Sequence, residues 1–178
     1  QAWAAARQAA PDLRLVLVPR HMERGDAVER DLAAAGFRCL RRSRMKAGRE
    51  TQAPGPDSIL MVDTTGELFA LYALADLVFV GKTLEPNVGG QNMIEPASFG
   101  KAVLCGPHTE NFAAVMDLFR ADGAIREVAD AAALRQAVGE LAADPVQRAA
   151  LGERARRVVE AQRGALARTA QVVVAHLK

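Results

Sequence analysis

Short apolar runs recur between polar stretches along the chain: "LRLVLV" at 13–18, "FRCL" at 37–40, "SILMV" at 58–62, "LVFV" at 77–80, "AVLC" at 102–105 and "AIREV" at 124–128. Runs this short and rich in Val, Ile, Leu and Phe predict strands buried on both faces. Between them lie segments of helical periodicity: "DAVERDLAAAG" ending at Gly36, "GELFALYALAD", "NMIEPASFG" ending at Gly100, and "NFAAVMDLFRADG" ending at Gly123. Each of those glycines stands where a helix most readily closes in a left-handed residue. Strand alternates with helix, and the crossovers are long enough to hold one. The pattern predicts an α/β fold, a Rossmann-like doubly wound parallel sheet of about six strands. From Asp130 the pattern is helical only, over 130–144, then 144–164 with Asp144 as N-cap and Pro145 at the first helical position, then 165–178. The expectation is a single domain, its core over about 12–128 and a C-terminal helical annex over about 130–178.

Composition narrows this picture. The chain has 178 residues and is 50% apolar, enough for one well-filled core. Its two cysteines, Cys39 and Cys105, fall inside predicted strands without paired spacing. They read as buried free thiols in a reducing compartment, which points to the cytoplasm. A net charge of +2 argues against a dedicated nucleic-acid binder. The exception is local: "RCLRRSRMKAGR" at 38–49 packs six basic residues into one segment. Such a run is most often a solvated face; the other reading is contact with an anionic membrane surface, where each Lys or Arg contributes roughly 1 kcal/mol. No apolar run approaches a membrane span, and no basic leader precedes an apolar core. The opening "QAWAAARQAAPDLRLVLVPR" begins within a helix and without Met, so a domain cut from a larger protein is expected.

In an open parallel sheet, ligands bind beyond the carboxyl ends of the strands. Pro19, Arg20 and His21 follow the first strand; Asp63, Thr64, Thr65, Gly66 and Glu67 follow the third; "GKTLEPNVGGQN" at 81–92 follows the fourth; and "GPHTEN" at 106–111 follows the fifth. Each has a plain reading by itself. His21 and His108 can be hydrogen-bonded loop residues, Gly89 and Gly90 a turn, Glu67 a complement to a helix dipole, and Asn92 with Glu95 a reciprocal helix cap. Their convergence on one rim favours a ligand site.

Within "GGQNMIE", two residues without Cβ let backbone approach a ligand, and Asn92 opens a helix whose first N–H groups favour a phosphate. Glu95, one turn on, is suited to a vicinal diol such as a ribose. Two familiar nucleotide motifs are missing: the first strand is followed by "VPRHMERG", not GxGxxG, and Gly81-Lys82-Thr83 lacks the upstream glycine of a P-loop. Nor is there a GxSxG elbow or a metal-ligand cluster.

At these residues the chain resembles a known family. "VPRHMER", "DTTGELFALYALADLVFVG", "GGQNMIEPASFGKAVLCGPHTENF" and the distal Gly164, Ala165, Leu166 and Arg168 are similar, in order, to the C-terminal half of the 3-deoxy-D-manno-octulosonic acid (Kdo) transferases. The resemblance implies one half of a GT-B glycosyltransferase, the donor-binding domain for CMP-Kdo in lipopolysaccharide synthesis. The absent N-terminal domain would take the lipid A precursor and supply the catalytic base, leaving no catalytic residue in this chain. Carried over, Pro19, Arg20 and His21 would line the cytidine and phosphate region. Thr65, Gly66 and Glu67 would contact the nucleotide, and Gly89, Gly90, Asn92 and Glu95 would take phosphate and ribose.

The chain departs from the family at two places. Gln91 stands where the family more often has His, and Lys82 with Thr83 where it has Gly-Ser. An amide replaces a neutral imidazole as donor or acceptor but cannot become cationic. Lys82 adds a fixed charge on the rim, expected to pair with donor phosphate. With Arg20, Lys82 and a helix N-terminus available, neither metal nor cofactor is expected, and the resemblance places the full enzyme at the cytoplasmic face of the inner membrane. Two other readings remain open at this stage: the C-terminal domain of another GT-B enzyme that uses a UDP-sugar, and a non-catalytic interaction module.

Overall fold

All six apolar runs form strands, four of them trimmed, one shifted by a residue and one unchanged: β1 (Leu15–Leu17), β2 (Arg38–Arg41), β3 (Ser58–Met61), β4 (Leu77–Phe79), β5 (Ala102–Cys105) and β6 (Arg126–Glu127). The structure is a computed structural model and describes residues 2–8, 10–51, 53–55 and 57–162. Every strand pair is parallel, as expected of an α/β fold. The ladder differs from the expected layer of about six, because the strands pair as two sheets of three, ordered β1-β3-β2 and β4-β5-β6. β1 and β4, three residues each, are edge strands that pair only with β3 and β5.

The chain divides into two compact units, Gln1–Leu74 with Arg135–Ala143 and Ala75–Leu134 with Asp144–Lys178. In the first unit, β3 is the central strand, with Ile59 and Met61 at 1% and 0% exposure. The helices of this unit are α1 (Ala2–Ala6), α2 (Gly25–Ala34), α3 (Arg42–Lys46) and α4 (Leu68–Leu74), joined by the Arg135–Ala143 part of a later helix. The N-terminal helix is stitched on by Trp3, whose indole N–H donates to the Leu13 carbonyl at 2.9 Å while its ring packs on Phe37 at 5.6 Å. Burying an aromatic of this size and satisfying its one donor stabilises by about 2 kcal/mol.

In the second unit, β5 is buried along its whole length. Val103 and Cys105 point to one face of it, where they meet Met93, Ala97, Met116, Phe119, Ala155 and Val158. These come from α5 (Ile94–Ser98), the residue before it, α6 (Ala113–Ala121) and α8 (Pro145–Gln162). The period of two along β5 meeting the period of 3.6 along the helices is what builds this core. Burial, with Glu127 adding to it, pushes the Cys105 thiol up to about 12. Cys39 is only half-buried, less than the sequence predicts, and burial raises its thiol as well.

Gly36, Gly100 and Gly123 close α2, α5 and α6 with φ of 80°, 67° and 53°. Asp130 caps α7 (Ala131–Ala143) through the Ala132 and Ala133 N–H groups, both at 2.8 Å, and Asp144 caps α8 through the Gln147 N–H at 2.9 Å. The helix predicted over 165–178 and the motif at Gly164, Ala165, Leu166 and Arg168 lie outside the described residues. One helix, α3, has no counterpart in the sequence reading; it lies inside the basic run. Among the described residues no helix is long and apolar enough to cross a membrane.

Candidate functional site

Parallel pairing fixes where the first unit presents its candidates. The Val62 N–H donates to the Leu17 carbonyl at 2.8 Å, which carries the β1–β3 register one step past the strands. Pro19, Arg20 and His21 therefore leave the sheet on the same edge as Thr65, Gly66 and Glu67. The Thr65 hydroxyl donates to the Met22 sulfur at 3.5 Å and ties the two exits together. Arg20, His21, Thr65 and Gly66 are exposed, while Pro19 and Glu67 are half-buried. The His21 Nδ1 lies 3.3 Å from the Glu23 carboxylate.

Beneath this rim sits a charged network. Asp63, the second residue after β3, has a side chain only 2% exposed. Its carboxylate accepts from the Arg41 Nε at 2.7 Å, the Ser43 N–H at 2.9 Å and the Ser43 hydroxyl at 2.6 Å. Burial alone would raise the Asp63 pKa, but the Ser43 donors and the Arg41 guanidinium outweigh it, and the carboxyl sits below its ordinary value. Arg41 also pairs with Asp26, and Arg44 holds Glu29 through two bonds of 2.6 and 2.7 Å. Glu67 accepts from the Arg42 Nε at 2.9 Å, from the Thr64 hydroxyl, and pairs with the Lys46 ammonium at 2.6 Å. Lys46, then Thr64 and Arg42, bring its pKa down to about 2, so it is fully anionic at neutral pH.

The second unit positions Lys82, Gly89, Gly90, Gln91, Asn92 and Glu95 by other means. Thr83 is 0% exposed. Its hydroxyl donates to the Val80 carbonyl at 2.8 Å and accepts from the Gly106 N–H at 2.7 Å, joining the loops after β4 and β5. A Cβ at Gly106 would stand 2.0 Å from the Thr83 carbonyl oxygen, so no larger residue fits there without moving backbone. Lys82 is exposed and holds φ 63°, a left-handed value uncommon for a residue with a side chain. Its carbonyl accepts the Gly90 N–H at 2.7 Å.

Gly89 and Gly90, at φ 102° and 78°, are buried. The Asn111 amide takes the space a Gly89 side chain would need, at 2.8 Å, and the Asn111 N–H donates to the Gly89 carbonyl at 3.2 Å. The geometry therefore gives the plain turn reading of this pair a physical basis. Asn92 and Glu95 are joined as well: the Asn92 amide donates to the Glu95 carboxylate at 3.0 Å, and its oxygen accepts the Ile94 N–H at 2.9 Å. The Asn92 side chain thus meets the first turn of the five-residue α5, whose N-cap is Met93, and Glu95 pairs with that side chain rather than with a backbone N–H, so the reciprocal cap is only half formed.

The side chains missed from sequence are Arg41 and Ser43 in the first unit, while Asp63, Thr83 and Asn111 were visible at strand exits without the bonds that give them their structural part. A carboxylate directly after a buried run is the one signal that marks Asp63.

No family model matches the chain. It is 41% identical over 167 residues, 93% of its length, to the 3-deoxy-D-manno-octulosonic acid transferase of Bordetella pertussis, and 34% identical over 169 residues to that of Haemophilus influenzae. The chain is a Kdo transferase homologue. Its fold matches the crystal structure of the C-terminal CMP-Kdo binding domain of WaaA from Acinetobacter baumannii with a TM-score of 0.78 and 28% identity, over 89% of this chain and 79% of that one. The chain spans just over a third of the curated transferases it matches, 37% and 38% of their lengths. It is thus homologous to the C-terminal domain of these glycosyltransferases.

Proposed function

We propose that this chain is the donor-binding part of an enzyme that moves Kdo from CMP-Kdo to a lipid A precursor, releasing CMP. The observation that carries the reading is the likeness, at 28% identity and a TM-score of 0.78, to a domain solved as a CMP-Kdo binding domain. The strand exits support it. In the first unit Pro19, Arg20, His21, Thr65, Gly66 and Glu67 share one edge. Arg20 is an exposed cation suited to charge-assisted bonds with a phosphate or a sugar carboxylate. In the second unit Lys82 is the exposed cation, and Gln91, Asn92 and Glu95 offer amide and carboxylate groups beside the turn at Gly89 and Gly90.

In this reading the chain binds and orients the donor and stabilises charge that builds on the leaving CMP phosphate, about 3 kcal/mol for each well-placed donor. The base that activates the acceptor hydroxyl belongs to the part of the transferases that this chain does not span, and no metal or cofactor takes part. The enzyme would act at the cytoplasmic face of the inner membrane, where its lipid acceptor lies.

Calorimetric titration of the chain with CMP and with UMP tests this. A clear preference for CMP is expected. Preference for UMP would move the chain to a glycosyltransferase that uses a UDP-sugar, and no nucleotide binding at millimolar concentration would leave an interaction module.

A further inference from the structure

The segment 63–67 is fastened at both ends to the same short element. At its start, Asp63 is held by Arg41, which precedes α3, and by both donors of Ser43. At its end, Glu67 is held by Arg42 at 2.9 Å and Lys46 at 2.6 Å, with Thr64 closing the ring from within. Between these anchors stand Thr65 and Gly66, both exposed, with Gly66 at φ 84°. The anchors are themselves held: Arg41 by Asp26, with its own N–H on Glu50 at 2.7 Å, and Arg44 by Glu29.

This arrangement accounts for four of the six basic residues of the run, Arg38 and Arg49 standing exposed outside it. The Arg41 side chain is 13% exposed, and Arg41, Arg42, Arg44 and Lys46 all spend their charge on carboxylates of the same unit. Glu67 has two cations and a hydroxyl on its two oxygens, so a ligand hydroxyl would have to displace one of them. What the clamp leaves free to meet a ligand is the turn between its two ends.

We propose that α3 is a positioning clamp for the turn at Thr65 and Gly66, with Glu67 and Arg42 acting together to hold that turn in the shape that meets the donor nucleotide. The proposal rests on the donor-binding reading and goes beyond it. Glu67 acts through the turn, and the basic segment is part of the site's frame.

The test is a cycle of Arg42→Ala, Glu67→Ala and the double variant, each titrated with CMP, beside Arg42→Lys. Urea unfolding followed by circular dichroism records whether each variant is folded. The clamp predicts that each single change weakens CMP binding about tenfold, that the double change is no weaker than either single one, and that Arg42→Lys restores most of the affinity. If Arg42→Ala binds CMP as the parent does while Glu67→Ala does not, Glu67 touches the nucleotide itself and the clamp is overturned. Additive losses overturn it too, since they mean two independent ligands. Should Arg42→Ala not fold, the more exposed Lys46→Ala takes its place in the cycle with the same expectations. Failure of the parent chain to bind CMP removes the donor reading and this proposal with it, whereas a parent that binds beside unaffected variants removes the clamp alone.

Discussion

In the first unit, the turn at Thr65 and Gly66 is set by charge, through Arg41 on Asp63 and through Arg42 and Lys46 on Glu67. In the second, the turn at Gly89 and Gly90 is set by shape and neutral hydrogen bonds, through the Thr83 hydroxyl, the Lys82 carbonyl and the Asn111 amide. Charge acts at a distance but titrates and is screened; close backbone contact neither titrates nor is screened, and it tolerates no added atom. Two loops with the same position after a parallel strand are therefore open to different perturbations.

The sharpest way to break the first arrangement is to remove its buried anion. Asp63→Ala leaves the Ser43 donors without their acceptor and Arg41 with only Asp26 and Glu29, and a loss of about 3 kcal/mol is expected from urea unfolding. A loss below 1 kcal/mol would mean that the network is ornamental. For the second arrangement the corresponding change adds an atom: Gly106→Ala drives a Cβ against the Thr83 carbonyl, and about 1–3 kcal/mol should be lost. That loss should be the same at low and high salt, which separates it from the first.

The smallest effect is that of acid. Asp63 and Glu67 are held below their ordinary values, Glu67 at about 2. A carboxyl whose folded pKa is depressed favours the folded state above its unfolded value and loses that contribution as pH falls through the folded one. Below about pH 4, protection of the Ser43 N–H against hydrogen exchange should drop, after correction for intrinsic rate, while the Gly106 N–H, bound to a hydroxyl, keeps its protection. Equal loss at both amides would erase the contrast.

The same contrast explains what could be read from sequence. The strands were legible because apolar residues cluster at or beside each of them, even where β2 is bounded by Arg38 and Arg41 and β6 is itself the charged pair Arg126 and Glu127, and the helix ends because Gly36, Gly100 and Gly123 carry a local conformational signal. Thr83, Asp63 and Asn111 were visible as residues at strand exits, but their partners, Gly106, Ser43 and Gly89, are set by the fold. The helix α3 was hidden for a physical reason. "RRSRMK" has no apolar period, and its stabilising partners, Asp26, Glu29, Asp63 and Glu67, lie elsewhere in the chain. A dense basic run looks like surface until those carboxylates are folded against it. For the same reason the motif at 65–67 shows Glu67 but not the cations around it.

The outermost strand of the second sheet, β6, consists of Arg126 and Glu127 alone, both exposed. Glu127 is gripped by Arg120 through bonds of 2.7 and 3.0 Å. A sheet must end somewhere, and an unpaired row of backbone groups invites another chain to continue it. Here that row is two residues long and bears a charge on each, so this edge offers an added strand little to pair with while β5 stays buried behind it.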